Sequence, residues 1–206
     1  ESNKGLRLQW SAPEYMPHSF QVSGLSGTVG HKQTGNCFDL TKQVADGFVG
    51  MQELSKGLFL VQSEMAFKRE TELYEEYPER KVFQLSFCMN GICEWDYRQK
   101  QGEHYQLSPT QCSLQCGTFS QCVSHFGSEQ PYHTLSISLE EGRFSSLTED
   151  LEAAHLIRRD DKICTHVFST TPEIRLVLQQ LLDCPPERKL RKLYLEGKVL
   201  ELLSLF

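Results

Sequence analysis

The sequence predicts a mainly β fold with a helical C-terminal part: an antiparallel sandwich or barrel, then two helices. Three observations carry this. From Leu58 to Leu139, short apolar runs recur with turn residues between them, the pattern of a multi-stranded all-β core. The links between these runs are too short for helical crossovers, so neighbouring strands are expected to run antiparallel. After Thr170 the apolar spacing changes from two to that of a helix, behind a capping signature.

Composition sets the bounds. The chain has 206 residues, 39% hydrophobic and 23% charged, enough for one sizeable core plus an appendage. Its 21 Lys and Arg against 27 Asp and Glu leave a net charge of −6, which speaks against gripping nucleic acid directly. No apolar run approaches the roughly eighteen residues of a membrane span, and no signal peptide opens the chain. A cytoplasmic protein is expected. The start at Glu1, without an initiator Met, is read as a trimmed fragment.

The strands follow in order. "HSFQVSGLSGTVG" and "HKQTGNCFDL" read as short edge strands or arms. In "GLFLVQSEMAFK", Phe59, Val61, Met65 and Phe67 share one parity. "KVFQLSFCMNGICEWDY" holds Asn90-Gly91 between two apolar runs, predicting a tight hairpin. Phe83, Leu85 and Phe87 share a face before that turn, Trp95 and Tyr97 after it. "HYQLSPTQCSLQCGTFSQCVSHF" supplies two more strands broken at Pro109 and Gly117. "PYHTLSISLEEG" alternates, with His133, Leu135, Ile137 and Leu139 on one face and Tyr132, Thr134, Ser136 and Ser138 on the other.

The last third turns helical. "FSSLTEDLEAAHLI" predicts a helix near 145–157, and "KICTHVFST" one more strand or an extended connector. Thr171, Pro172 and Glu173 supply an N-cap hydroxyl, Pro at the first position and an acid beside the positive end of the dipole. Ile174, Val177, Leu178, Leu181 and Leu182 then form one stripe, and Pro185-Pro186 ends the helix. A terminal helix is expected from about Glu187. On it Leu190, Leu193, Tyr194, Gly197 and Leu200 fall on one side; Leu195, Val199, Leu202, Leu203 and Phe206 fall on the other. A helix with two apolar sides calls for two partners: its own domain, and a second subunit or a following domain.

These residues resemble a known family. A β-rich module ending in "TPEIRLVLQQLLDCP…LRKLYLEGKVLELLSL" resembles the N-terminal sensor half of AraC-type transcription regulators, in the branch that includes the pyochelin-sensing regulator of siderophore uptake. The run "VFQLSFCMNGICEWDYRQKQGEHYQLSPTQCSLQCG" is similar to that family's strand–hairpin–strand stretch, except that Thr110 follows Leu107-Ser108-Pro109 where the family commonly has Gly. The likeness covers residues 58 to 206 and is sharpest over 170 to 206. It implies a cupin-like β-barrel over 1–168 that binds a small effector, plausibly an iron–siderophore complex. It also implies a helical dimerisation and linker unit over 169–206 that makes a homodimer, and DNA contact only through helix-turn-helix motifs after Phe206. No cofactor and no enzymatic activity are expected.

The rival reading is a free-standing cupin-like metal-binding protein or enzyme. Its usual signature, two inward His one residue apart on a strand, is absent from the seven His of the chain. Cys112, Cys116, Cys122 and His125 remain as a metal-binding long shot, against the general tendency of reduced Cys to be buried as a small hydrophobe. Neither a G-x-S-x-G elbow nor a phosphate loop occurs, since "SGLSGTVG" lacks the lysine. What remains is an apolar pocket with a few polar groups. Phe67, Phe87, Trp95 and Tyr97 are the candidate wall, although aromatic strand residues are more often core than ligand contacts. Arg69 is a candidate for an anionic ligand group. Trp10 lies in the N-terminal stretch that, in the wider family, closes over an effector. Leu190, Leu193, Tyr194, Leu195, Val199, Leu202 and Phe206 are assigned to dimerisation or linkage.

Overall fold

The computed structural model describes residues 6–11, 20–22, 25–27, 31–32, 36–39, 45–98, 102–128, 130–140, 149, 152 and 164–206. The strands are β1 (Leu6–Ser11), β2 (Phe20–Val22), β3 (Leu25–Gly27), β4 (His31–Lys32), β5 (Asn36–Asp39), β6 (Ala45–Ser55) and β7 (Leu58–Phe67). Then come β8 (Thr71–Asn90), β9 (Cys93–Tyr97), β10 (His104–Leu107), β11 (Gln111–Phe126), β12 (Pro131–Glu140) and β13 (Cys164–Ser169). Two helices follow, α1 (Pro172–Leu182) and α2 (Arg191–Leu203). The fold is therefore mainly antiparallel β with C-terminal α. The helix expected near 145–157 lies outside the described residues, apart from Glu149 and Glu152, which are helical.

Hydrogen bonding orders the strands β10-β9-β11-β8-β12-β7-β6-β5-β4, with β13 beside β11 and β1 beside β8. Among the described residues this path does not return on itself, so the closed barrel expected from sequence is corrected to an open sheet. Its ends, β10 and β4, are short, and the helices cover apolar surface that closure would otherwise bury. One pairing is parallel: β1 runs alongside the first part of β8, from Leu6 opposite Thr71 to Ser11 opposite Glu76.

The Asn90-Gly91 hairpin is also corrected. β9 does not pair with β8, because β8 already has β12 on one edge and β11 on the other. The chain instead turns a corner and lays β9 against β11, Trp95 opposite Ser124. Gly91 makes the corner possible with φ +83; a Cβ there would come within 2.9 Å of Pro131 O and of the Tyr132 ring. Nor does the chain break at Gly117. β11 runs through it, and the register slips later: Phe119 faces Arg80, but Gln121 faces Glu76. That slip divides β11 between the main core before it and two smaller clusters after it.

The main core joins sheet and helices. Phe83, Leu85 and Phe87 of β8, Cys112 and Leu114 of β11, and Leu135, Ile137 and Leu139 of β12 pack with Ile174, Val177, Leu178 and Leu181 of α1 and Leu195, Val199 and Leu202 of α2. A second cluster gathers Ala45, Val49, Met65, Phe67, Leu73, Phe126 and Tyr132, where Phe67 stacks on Phe126 with ring centres 4.7 Å apart. A third holds Cys88, Trp95, Tyr97, Leu107 and Cys122.

α1 starts as its sequence dictates: Ile174 N donates to Thr171 Oγ1 at 3.3 Å, and Pro172 opens the helix. α2 begins at Arg191, later than the expected Glu187. The intervening residues turn instead, with Arg188 N on Pro185 O and Arg191 N on Arg188 O. Leu190 then takes φ 58, a left-handed conformation that no helix interior accommodates.

Candidate functional site

β9 carries two chemistries, one on each face. Because successive strand residues point to opposite sides, Trp95 and Tyr97 turn inward while Asp96 turns outward. β10 pairs antiparallel with β9 and sets Tyr105 opposite Trp95. The Tyr105 ring stacks on Trp95 at 5.6 Å and meets Tyr97 edge-on at 5.5 Å. Trp95 is 6% exposed and Tyr97 3%, so this is an aromatic wall closed behind by Leu107 and Cys122.

Two buried polar atoms face the Tyr97 hydroxyl in this wall, Trp95 Nε1 and Thr165 Oγ1 of β13, and it is the hydrogen-bonding neighbour of both. Burial, reinforced by nearby Cys122, holds the Tyr97 phenol far above its ordinary range, so it stays protonated.

On the outer face, Asp96 is bracketed by two imidazoles. His125 Nε2 lies 2.6 Å from Asp96 Oδ2, and His104 Nδ1 lies 3.0 Å from Oδ1. Burial opposes ionisation of this carboxyl, but the hydrogen bonds from His125 and His104 outweigh it and lower the Asp96 pKa. The group pins β9 to β10 and β11.

The sequence candidates separate in space. Trp95 and Tyr97 come together, joined by Tyr105 and Thr165. Phe67 belongs to the second cluster and Phe87 to the main core. Arg69 is exposed in the β7–β8 turn, where its carbonyl accepts from Thr71 Oγ1. Trp10 sits on β1 opposite Glu75; its side chain lies outside the described part. The four long-shot metal ligands are also dispersed. Cys112 is in the main core, where burial pushes its thiol up to about 11, and Cys116 packs against that core. Cys122 is in the aromatic cluster, and His125 is engaged by Asp96. Among the described residues no three His, Cys, Asp or Glu are placed to hold a metal ion.

Sequence reading missed Tyr105 and Thr165. Tyr105 shares parity with Leu107, but a four-residue strand gives too little alternation to stand out. Thr165 reaches the wall only because β13 pairs with β11, Thr165 opposite Gln115, a contact no local pattern encodes.

The two sides of α2 are sorted by the fold. Leu195, Val199 and Leu202 are fully buried in the chain's own core, while Leu190, Leu193 and Leu200 are 76%, 64% and 51% exposed. Tyr194 is half-buried beneath the Arg188 guanidinium, 3.9 Å from its ring centre. Phe206 rests near Phe87 and Phe168. No helix among the described residues is long and apolar enough to cross a membrane.

Comparison with known proteins supplies a family. The model of the regulatory protein PchR N-terminal domain matches residues 46–206. No curated protein sequence matches the chain. Among solved structures, apo ToxT K231A from Vibrio cholerae strain SCE256 superposes with a TM-score of 0.51 at 11% identity, over 75% of this chain and 56% of that one. At that identity the likeness is one of fold, and the chain spans 56% of the ToxT length. The AraC-like transcriptional activator CuxR gives 0.43 at 7% identity, over 82% and 60% of the two chains. Procruciferin, an 11S globulin from Brassica napus, gives 0.38 at 10%, over 70% and 42%.

Proposed function

The chain belongs to the family of the regulatory protein PchR N-terminal domain, and on that premise we propose that it is the effector-sensing and dimerisation part of an AraC-type transcription regulator. The family match over 46–206 is the observation that carries this reading. The strand body receives a small effector, an iron–siderophore complex being the class proposed. Trp95, Tyr97 and Tyr105 form the receiving wall, and Trp95 Nε1 and Thr165 Oγ1 offer the polar contacts. Phe67, Phe87 and Arg69 lie apart from this wall, and with Trp10 they stand as candidates for contacts of their own.

The signal leaves through α2. Its inner side is fixed in the main core and its outer side presents Leu190, Leu193 and Leu200. A second copy covers that outer side, and the DNA-binding part acts beyond it. An effector that binds one arrangement of core and helix better than another shifts the population toward it by that difference in affinity.

Calorimetric titration with ferric siderophores and with their iron-free forms tests this. A saturable site of one effector per chain, accompanied by quenching of Trp fluorescence, is expected. Absence of both heat and thermal shift across a panel of ferric chelates overturns the effector reading.

A further inference from the structure

Beside the aromatic wall lies a thiol pair that the sensing function does not use. Cys88 lies near the end of β8, on the face opposite Phe87, and Cys93 opens β9, on either side of the Gly91 corner. Their sulfurs are 3.8 Å apart, with the Cys93 thiol donating to Cys88. Cys88 Sγ also lies 3.3 Å from Asn90 O and 3.2 Å from Gly91 O. Cys88 is 1% exposed and Cys93 half-buried. The corner that displaces β9 from β8 thus brings together two cysteines only five positions apart.

We propose that Cys88 and Cys93 are a modification site, closing to a reversible disulfide in response to small hydroperoxides. The thiols are inequivalent, as such a step requires. Donation from Cys93 lowers the Cys88 pKa against the cost of burial, and the Cys93 thiol is pushed up by holding its proton toward Cys88. Cys88 is therefore the nucleophile and Cys93 the resolving thiol.

In the first step Cys88 sulfur attacks one oxygen of the hydroperoxide. The O–O bond breaks, the alcohol (or water) leaves with the thiol proton, and Cys88 becomes a sulfenic acid. Cys93 sulfur then attacks that sulfur; the S–O bond breaks, and water leaves with the Cys93 proton. The two thiols lose two electrons and the hydroperoxide gains them. Closing to a bond of about 2.05 Å requires the sulfurs to approach by less than about 2 Å. The burial of Cys88 selects an oxidant of about the size of water over a bulky disulfide reagent.

Hydroxylamine cleavage at Asn90–Gly91, which lies between the two cysteines, gives a direct readout. The reduced chain is treated with hydrogen peroxide, remaining thiols are alkylated, and the tryptic peptide Val82–Arg98 is cleaved at that bond. The halves are expected to stay joined after peroxide and to separate after reductant, with two thiols lost per chain when counted under denaturing conditions. In Cys93→Ser, a dimedone adduct is expected on Cys88. Halves that separate after peroxide while Cys164, 2.9 Å from His166 Nε2, takes the oxidation would overturn the proposal. So would equal thiol loss in wild type and Cys93→Ser. Because the wild-type cleavage needs neither effector nor partner, the site stands or falls independently of the sensing function.

Discussion

Arg191 Nη1 donates to Gln52 Oε1 at 2.6 Å, fastening the first residue of α2 to a strand 139 positions earlier in the chain. One helical turn on, Ser55 Oγ donates to Glu196 Oε1 at the same distance. The two bonds seat α2 against the end of β6, just before the β6–β7 turn, over the core that Leu195, Val199 and Leu202 fill. A displacement of the sheet there moves the helix with it. Arg191→Ala is therefore expected to destabilise the chain by about 1–2 kcal/mol, the range of a charge-assisted hydrogen bond that is partly exposed. Urea unfolding monitored by circular dichroism reads this as a lower midpoint.

The two sides of α2 should respond in opposite ways. Leu195→Ala opens a cavity in the shared core and is expected to cost about 2–4 kcal/mol. Leu193→Asp changes an exposed position and should leave stability within about 0.5 kcal/mol. Analytical ultracentrifugation separates them further: the proposal expects a dimer of the parent chain and a monomer of Leu193→Asp. A dimer that survives Leu193→Asp together with Leu200→Asp places the interface elsewhere.

Trp95→Phe keeps an aromatic ring and removes the indole N–H that faces the Tyr97 hydroxyl. Stability should fall by about 1 kcal/mol, the net worth of one such hydrogen bond. Effector affinity should fall by about fivefold, the worth of one hydrogen bond at about 1 kcal/mol. Titration calorimetry on the variant checks both signs together with its melting curve.

Asp96 gives the β9–β10 edge an acid limit. Its pKa is held below the ordinary carboxylate value in the folded chain by His125 and His104. The stability it contributes is therefore complete above the unfolded-state value, near 3.9, and is lost as pH falls through the lower folded one. Asp96→Asn should flatten this acid limb while leaving the neutral-pH melting curve less affected by acidification. Melting temperatures from pH 6 down to pH 3 measure it.

How far the sequence carried the fold depends on whether the signal was local. The cap of α1 is written in Thr171, Pro172 and Glu173, and the structure follows it. The buried face of β12 is written in Leu135, Ile137 and Leu139, yet Tyr132, of the opposite parity, is buried as well, because its side of the strand packs into the second cluster with Met65, Phe67 and Phe126. Asn90-Gly91 promises a hairpin on local grounds and fails on tertiary ones: both edges of β8 are occupied. Cys112, Cys116 and Cys122 share parity in the sequence, yet the slip after Phe119 sends Cys122 to another cluster. In the candidate site, Trp95 and Tyr97 were legible because they alternate along one strand. Thr165 was not, because it arrives from a strand about seventy positions after Trp95 and Tyr97. The two apolar sides of α2 were legible; which one faces the core was decided by where Gln52 and Ser55 anchor it.

The central claim is that the aromatic wall and α2 belong to one coupled unit read by an effector. Hydrogen exchange of the chain with and without a ferric siderophore tests it most directly. Slower exchange on binding is expected at residues 93–107 and, with no contact to the effector, an altered rate across 190–203. Unchanged exchange in both segments at a saturating concentration of effector would contradict it.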